Sequence, residues 1–207
     1  MSRLLKLNPE EPAVDQVREA VEMIREGAIC AYPTETFYGL GVDVGNEAAI
    51  KRLYDLKRRD PGNPIAVIVS DRDMLASIVQ EVPDRALVLI DLFWPGPLTI
   101  LFRTKSGGKI GIRISSHPVA TALVRGLGCP LSTTSANLAG FPPSSDPNRL
   151  RGYFGDKIDL IIDGGALPPS LGSTVVDVTD EKVAIIREGV IPAGMIFKSF
   201  KGEGEAV

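Results

Sequence analysis

Amphipathic helical segments alternate with short apolar segments along the first part of this chain. Residues 14–24 place apolar side chains at helical spacing, which predicts a helix that ends near Gly27. Residues 28–32 then form a continuous apolar run of strand length, closed by Pro33. Two later apolar runs flank the turn residues 106–108, which predicts a hairpin. Crossovers and hairpins together predict an α/β domain built on a mixed sheet.

The same reasoning assigns the remaining elements. We expect further helices over residues 46–58, 74–79, 84–93 and 118–126, with Asn46 capping the first of them. We expect strands over residues 64–69, 98–102, 110–114, 131–134, 158–162, 173–178 and 183–187. Residues 140–147 are rich in turn-forming residues and are predicted to be a loop.

The composition is that of one folded domain. The chain has 207 residues, of which 44% are hydrophobic and 24% charged, and this is too apolar for a disordered chain. We predict a single domain over residues 1–197 and a polar, disordered tail over residues 198–207. No run of about 18 apolar residues occurs, and the start of the chain has no apolar segment of a secretion signal. We therefore expect a cytoplasmic protein that does not associate with membranes.

Cysteine and histidine are scarce in this sequence. The two cysteines, Cys30 and Cys129, are too few and too far apart for a disulfide framework or a zinc site, and we interpret both as structural. The single histidine, His117, precedes Pro118 at a predicted helix start and is also interpreted as structural. These counts argue against a multi-histidine metal site and a histidine-based triad, and we predict no protein ligands for a metal.

The net charge of −3 means that an anionic ligand would need a local cluster of basic residues. Lys57 continues the apolar stripe of its predicted helix and should project inward, while Arg59 lies in the turn that follows. Arg113 faces opposite its isoleucine neighbours and shares that face with Lys109. The alternative for the helix end is that its basic residues only complement the helix dipole. The alternative for Arg113 is a solvent-exposed strand face, and the alternation of residues along the strand, taken alone, favours that alternative.

Two segments are unusually rich in small polar residues. Residues 32–41 follow a buried strand and contain hydroxyls, a carboxylate and two glycines, and residues 132–137 contain five polar residues among six. Ligands usually bind at strand ends in α/β sheets, and hydroxyls suit close approach to phosphate or carboxylate oxygens. The alternative for residues 32–41 is a loop whose threonine hydroxyls satisfy its own backbone. Ser173 and Arg187, near the last predicted strands, are weaker candidates for the same site.

As a set, these segments resemble the YrdC-like family of threonylcarbamoyl-adenylate synthases, in its short single-domain form. The motifs that carry the resemblance follow the family's order: YPTETFYGLG at 32–41, Lys57 and Arg59 with Asn63-Pro64 behind them, Arg113 in Ile-Arg-Ile, SAN at 135–137, STVVD at 173–177 and REG at 187–189. The resemblance covers nearly the whole chain, residues 10–193. Each motif alone is unspecific, whereas the ordered set is specific.

The resemblance implies a fold, an activity and partners. The fold is an open, twisted, mixed α/β sheet flanked by helices, with a concave, positively charged face. The activity is a nucleotidyl transfer in which L-threonine, bicarbonate and ATP, with Mg²⁺ on its phosphates, give threonylcarbamoyl-AMP and pyrophosphate. A separate transferase complex then uses this intermediate to modify tRNA to N6-threonylcarbamoyladenosine. Weak binding of tRNA or another RNA is also implied.

The resemblance further implies a role for each matching residue. The residues that match threonine contacts are Thr36, Arg113 and Ser173, and of these Arg113 pairs with the carboxylate. The residues that match the triphosphate side are Lys57, Arg59 and Asn63. The residues that match other nucleotide contacts are Ser135, Asn137 and Arg187. Because the reaction brings two anions together, Lys57 and Arg59 are the expected catalytic cations.

Two positions depart from the family's pattern. Ile68 stands where some members have a histidine that helps to hold threonine. Pro143, with Ser144 beside it, stands where a small polar residue is common. The loop at 140–147 that contains Pro143 is a candidate lid, because carbamates and carbamoyl-adenylates are labile in water.

Two other functions compete with this interpretation. One is an RNA-binding or ribosome-maturation module of the same fold without the activity. Against it, 26 acidic residues outnumber 23 basic ones, and we find no aromatic stacking motif for single-stranded RNA. The other is a paralogous nucleotide-binding branch of the family. That branch tends to lose the Lys-x-Arg and Ser-Ala-Asn motifs, which this chain retains.

Overall fold

Ten strands and seven α-helices are present in the computed structural model, which describes residues 2–137 and 141–200. The strands are β1 (Arg3–Lys6), β2 (Cys30–Pro33), β3 (Tyr38–Gly41), β4 (Ala66–Ile68), β5 (Leu98–Arg103), β6 (Lys109–Arg113), β7 (Leu131–Ser135), β8 (Leu160–Asp163), β9 (Thr174–Asp177) and β10 (Ala184–Arg187). The helices are α1 (Val14–Arg25), α2 (Glu47–Lys57), α3 (Arg72–Ile78), α4 (Asp84–Phe93), α5 (Pro118–Leu127), α6 (Pro147–Phe154) and α7 (Ala193–Lys198).

These strands form one open, twisted sheet in the order β1-β8-β2-β3-β7-β4-β6-β5-β9-β10. Four neighbouring pairs are parallel: β1 with β8, β8 with β2, β4 with β6, and β5 with β9. The other five pairs are antiparallel. The sheet is therefore mixed, and the α/β class predicted from the sequence is confirmed.

The β1-to-β7 half of the sheet is covered on both faces. On one face, α1 and α5 bury Ile24 and Leu123 against Tyr32 and other strand residues. On the other face, α2 and α6 bury Leu53 and Phe154 in a second apolar cluster. The apolar stripe predicted for residues 14–24 is thus buried, and Gly27, with φ of +97°, follows the end of α1.

The β4-to-β10 half is packed differently on its two faces. Helices α3, α4 and α7 cover one face, where Ile100 and Ile112 point into a third apolar cluster. The opposite face presents small or polar side chains, among them Ala66, Thr99 and Gly111, and forms the floor of a cavity. The strand periodicity of two thus separates core residues from cavity residues along β5 and β6.

Residues 38–41 form a strand that was not among those predicted, since the sequence analysis assigned a strand only up to residue 32 and gave a loop as one interpretation of the segment. Tyr38 and Leu40 point into the apolar core, and the two glycines alternate with them. A Cβ on Gly41 would lie 2.4 Å from the carbonyl oxygen of Ser132 and 2.8 Å from the ring of Tyr32. Glycine is therefore needed for close strand packing here, and the true loop is only residues 34–37.

Three further elements were not predicted: β1, α6 and α7. In α6 the local signals are nevertheless present, since the Asp146 side chain accepts from Asn148 N and Pro147 occupies the first turn. At the C-terminal end, α7 extends to Lys198 and Phe200 packs against the core, although residues from 198 had been assigned to the tail. Residues 201–207 lie outside the described residues, so the prediction of a disordered tail there stays a prediction.

The structural interpretations of the cysteines, the histidine and Asn46 agree with the structure. Cys30 is fully buried in the core, and Cys129 Sγ donates to Asp43 Oδ1 at 3.2 Å. His117 precedes α5 as its cap, because its Nδ1 accepts from Val119 N at 3.2 Å. Asn46 caps α2 by accepting from Ala49 N. Within the described ranges, none of the helices has the length and hydropathy needed to cross a bilayer.

Candidate active site

A cavity of about 470 Å³ lies on the uncovered face of the β4-to-β10 half of the sheet. Six of the residues singled out from the sequence line it: Thr36, Arg59, Arg113, Ser135, Ser173 and Arg187. They come from sites up to about 150 residues apart in the chain, and the strand order brings them together. A volume in this range is typical of a small-molecule site.

The floor of the cavity is made of small residues. A Cβ on Gly111 would lie 3.0 Å from Thr99 Cγ2 and 3.2 Å from Ala66 Cβ, so a larger residue would fill the floor. The space above the strands therefore depends on Gly111 and Ala66. This gives the two residues a role that no motif in the sequence had indicated.

The 34–37 loop forms one wall of the cavity. Thr34 Oγ1 donates to Phe37 O at 2.7 Å and accepts from Thr36 N at 3.2 Å, which closes the loop on itself. The interpretation of a self-satisfying loop therefore holds for Thr34. Thr36 is 5% exposed, and its Oγ1 lies 3.0 Å from Thr34 Oγ1 and 3.5 Å from Arg113 Nη1.

Arg113 is buried at the end of β6, with 5% of its surface exposed. The exposed strand face favoured by the pattern is therefore wrong at this position, because the 34–37 loop encloses it. The guanidinium Nη1 lies 3.1 Å from Oε1 of Glu35. Lys109, which shares the strand face, lies at the other end of β6 and pairs with Asp177 at 2.8 Å.

Ser173 and Arg187 form a further part of the cavity wall. Arg187 Nη2 donates to Ser173 O at 2.7 Å and to Ser173 Oγ at 3.1 Å. Thr99 Oγ1 donates to the same Ser173 Oγ at 3.0 Å. Burial and the nearby charge of Arg113 lower the pKa of Arg187. Both guanidinium-bearing residues, Arg113 and Arg187, line the cavity.

Arg59 reaches the cavity because the chain reverses sharply after α2. Arg58 adopts the left-handed conformation with φ of 48°, and Arg59 N then donates to Tyr54 O at 3.1 Å. Arg59 Nε donates to Asn63 O at 2.7 Å, and its Nη2 to Pro64 O at 3.0 Å. Asn63 thus supports Arg59 through its backbone carbonyl, and its side chain is not among those that line the cavity.

Lys57 projects inward as predicted, but it does not line the cavity. Its ammonium group donates to Ser135 O at 2.7 Å, Asn137 O at 2.6 Å and Asn137 Oδ1 at 2.9 Å. These three bonds use all three of its N–H groups. Burial and the charge of Arg59 lower the pKa of Lys57 to about 8. Lys57 therefore fastens α2 to the segment that follows β7.

The segment after β7 is further ordered by its own side chains. Ser135 Oγ donates to Asn137 Oδ1 at 2.6 Å, and Asn137 Nδ2 donates to Phe141 O at 2.6 Å. Asn137 is not among the residues that line the cavity, whereas Ser135 and Pro143 are. Tyr38 N donates to Ser144 O at 3.1 Å, which ties the candidate lid to β3. Gly140, the first residue of that lid, lies outside the described residues.

One departure from the family pattern and two missed residues can be compared with the cavity directly. Ile68, which replaces a family histidine, is fully buried in the core beneath α5 and is not among the lining residues. Glu35 and Ser115 were missed as candidate site residues. Both signals were weak, since Glu35 is one carboxylate within a polar segment and Ser115 is one hydroxyl after a strand.

Basic groups in and around the cavity outnumber acidic ones. Within the described parts of the chain, neither Arg59 nor Arg187 has a carboxylate within ion-pair distance, and Arg113 pairs with Glu35. Such an arrangement suits an anionic ligand with several charges. The described residues include no group of three or more His, Cys, Asp and Glu side chains that could hold a metal ion.

The fold and the cavity define an α/β protein with an arginine-lined cavity on one face of an open mixed sheet. A family model named for Sua5, YciO and YrdC, and described as "Telomere recombination", matches residues 22–189. This match spans most of the chain, and the chain therefore belongs to the Sua5/YciO/YrdC family. The resemblance seen in the sequence is thereby confirmed.

Individual relatives agree with this assignment. The chain is 34% identical over 192 residues to "Threonylcarbamoyl-AMP synthase" of Pyrococcus abyssi, covering 88% of this chain and 56% of that protein. It is 34% identical over 201 residues to "Putative threonylcarbamoyl-AMP synthase" of Methanocaldococcus jannaschii, covering 92% and 93%. The crystal structure of P. abyssi Sua5 complexed with L-threonine matches with a TM-score of 0.90 and 30% identity, over 97% of this chain and 61% of that one. This chain thus spans about half the length of the P. abyssi relative.

Proposed function

We propose that this chain is a threonylcarbamoyl-AMP synthase that uses L-threonine, bicarbonate and ATP. In this reaction threonine and bicarbonate first give a carbamate with loss of water. A carbamate oxygen then bonds to the α-phosphorus of ATP as the bond from that phosphorus to the bridging oxygen breaks, and pyrophosphate leaves. The observation that supports the proposal most strongly is the convergence of Arg59, Arg113 and Arg187 on one cavity together with threonine and serine hydroxyls.

The chemistry needs cations more than a nucleophilic side chain. A carbamate and a triphosphate are both anions, so their approach and the charge on departing pyrophosphate need electrostatic stabilisation. We propose that Arg59 and Arg187 supply this on the nucleotide side by direct contact with phosphate oxygens. Arg113, Thr36 and Ser173 would then take the threonine side, where Arg113 meets the carboxylate.

Lys57, Ser135, Asn63 and Asn137 support the nucleotide half of the proposed site. Lys57 contributes its charge next to Arg59, and a direct bond to phosphate would require it to release one of its three present acceptors. Ser135 faces the cavity, while Asn137 bonds to both Lys57 and Ser135. Asn63 holds the Arg59 guanidinium. We therefore propose that Lys57 acts as much by ordering this segment as by its charge.

We propose that Mg²⁺ enters as part of the ATP substrate. Mg²⁺ commonly keeps several waters and binds through substrate phosphates, with few protein ligands. On a nucleotide, the ion would offset phosphate charge beside the arginines.

The product would be consumed elsewhere. A mixed anhydride of a carbamate and AMP is reactive toward nucleophiles, so we propose that a separate transferase complex accepts it for tRNA modification. Direct binding of RNA by this chain is less well supported, because the basic residues described above converge in a cavity and the net charge is −3. A large cationic surface is the usual basis of RNA affinity.

The proposal is tested by mixing the purified protein with ATP, Mg²⁺, bicarbonate and one amino acid, and detecting the carbamoyl-adenylate by mass spectrometry. We expect threonylcarbamoyl-AMP and pyrophosphate with threonine, and loss of both in Lys57→Ala and Arg113→Ala. Serine should be rejected less strongly than valine, because one methyl contributes about 1–3 kcal/mol while an unpaired buried hydroxyl partner costs more. Equal turnover of valine and threonine, or RNA binding without ATP turnover, would contradict the proposal.

A further inference from the structure

Glu35 lies between two cavity-lining threonines but does not itself line the cavity. Its carboxylate instead contacts two residues from other parts of the chain. Oε1 lies 3.1 Å from Arg113 Nη1, and Oε2 accepts a hydrogen bond from Ser115 Oγ. The side chains of Glu35 and Arg113 are only 13% and 6% exposed. The 34–37 loop is thus linked to the end of β6 by a buried ion pair.

This ion pair is incompletely satisfied. Neither Glu35 Oε1 nor Arg113 Nε, both buried, makes a hydrogen bond with the described residues. Buried polar groups are nearly always hydrogen-bonded, and a buried ion pair contributes little to stability unless its remaining capacity is filled. An incompletely bonded pair beside a cavity is therefore better explained by a role in the site than by a role in folding.

We propose that Glu35 is a positioning residue for the amino-acid half of the site. Glu35 fixes the Arg113 guanidinium where the substrate carboxylate arrives. Because Thr36 is the next residue after Glu35, the ion pair also sets the distance between Arg113 and Thr36. Ser115, in the segment before α5, holds the Glu35 carboxylate by a hydrogen bond, and Glu35 in turn orients Arg113 toward the cavity. The inference rests on the proposed function, because it takes an amino acid as the carboxylate-bearing substrate.

Charge and alignment make opposite predictions for Glu35. If the carboxylate acted only through its charge, its removal would make the site more positive and tighten the binding of an anion. If it acts by alignment, its removal frees the guanidinium and weakens binding, since small misplacements of binding groups are costly. The sign of the change in threonine affinity therefore separates the two effects.

The test is Glu35→Gln, which keeps the size of the side chain and removes the charge. We expect KM for L-threonine, and its Kd measured by calorimetry without ATP, to rise roughly 10- to 100-fold while KM for ATP stays within about two-fold. Glu22→Gln, an exposed change on α1, is the matched control and should leave both constants unchanged. An unchanged or lower threonine Kd in Glu35→Gln would overturn the proposal, as would an equal rise in both KM values.

Two further variants keep the test independent of folding. Ser115→Ala removes one bond to Glu35 and leaves both charges, so threonine KM should rise several-fold with ATP KM unchanged; an unchanged threonine KM would count against the proposal. In an Arg113→Ala background, Glu35→Gln should add less than about a two-fold further rise in the threonine Kd, which calorimetry measures without turnover, since it acts through Arg113. Effects that multiply would refute that coupling. If the wild-type protein binds threonine but forms no adenylate, the proposed function fails, while the Kd series still tests Glu35.

Discussion

The basic side chains around the cavity differ in how far protein groups already occupy their hydrogen-bond donors and offset their charge. Lys57 has all its N–H groups bonded to the protein, and Arg113 is paired with Glu35. Arg59 and Arg187 bond to backbone carbonyls and, within the described residues, have no acidic partner in ion-pair range. The positive charges of Arg59 and Arg187 are therefore not offset by a neighbouring carboxylate among the described residues, and they are available to an anionic ligand.

Arg187→Ala should lower kcat/KM for ATP by roughly 30- to 1000-fold, or about 2–4 kcal/mol of transition-state stabilisation. The physical reason is the loss of a partly buried cation beside the phosphates. The kcat/KM for ATP is measured from pyrophosphate release at varied ATP concentration. Arg18→Ala, at an exposed pair with Asp15 on α1, is the control and should match the wild type. A change of less than three-fold in Arg187→Ala would remove this residue from the nucleotide site.

Sequence reasoning about single residues succeeded where local pattern decides the outcome. The inward direction of Lys57 follows from helical spacing, and the structural role of His117 at a helix start follows from the adjoining proline. It failed at Arg113, because alternation along a strand gives the face but not what lies over that face. The same limit explains why Glu35 was missed, since its partner is 78 residues away in the chain.

The helix α5 begins at a histidine that must be neutral to act as its cap. His117 Nδ1 accepts from Val119 N, and a protonated imidazole has no acceptor. Burial lowers the pKa of His117, with Glu35 and Glu10 opposing the shift. The unfolded chain therefore takes up this proton first as the pH falls below about 6.5. Stability from His117 is present above that pH and is lost on acidification.

We therefore expect the unfolding free energy of the wild type to fall more steeply between pH 7.5 and 5.5 than that of His117→Asn. Asparagine keeps a capping acceptor without titrating in this range. Urea unfolding at several pH values measures the difference. Parallel pH profiles for the two proteins would show that His117 does not carry this dependence.

Gly189 follows β10 and packs against the backbone just before β9. A Cβ there would lie 2.3 Å from the carbonyl oxygen of Gly172 and 2.6 Å from the carbonyl carbon of Ser173. Gly189→Ala should therefore cost about 1–3 kcal/mol by overpacking and, by moving Ser173, raise KM for threonine. Thermal unfolding and threonine kinetics measure both effects.

Gly152→Ala in α6 is the matched control, since a Cβ there has no neighbour within 4 Å. It should stabilise the protein by about 0.5–1 kcal/mol, because alanine loses less conformational freedom in a helix. Equal stability changes in the two variants would contradict the steric argument at Gly189.

Strands β3 and β1, which sequence analysis missed, have weak sequence signals for different physical reasons. Strand β3 alternates apolar residues with glycines, and glycine is normally a sign of a turn. The close approach of Ser132 and Tyr32 explains the glycine at position 41. Strand β1 has four residues, of which only Leu5 is buried. Helices with long apolar stripes, such as α1 and α5, were predicted correctly because their pattern is repeated over several turns.

Across the entire chain, the net charge of −3 gives no sign of a cationic cavity. The cavity exists because β4, β6, β5 and β9 are covered by helices on one face and left open on the other. Their order in the sheet differs from their order in the sequence, so no local pattern predicts which residues converge. The family resemblance named nine candidate site residues, and six of them line the cavity.

The most direct test of this account is a crystal structure of the protein with L-threonine and a non-hydrolysable ATP analogue. We predict both ligands side by side in the cavity described above, with the threonine carboxylate against Arg113 and phosphate oxygens against Arg59 and Arg187. Either ligand bound at another surface, with these three arginines left facing solvent, would contradict it.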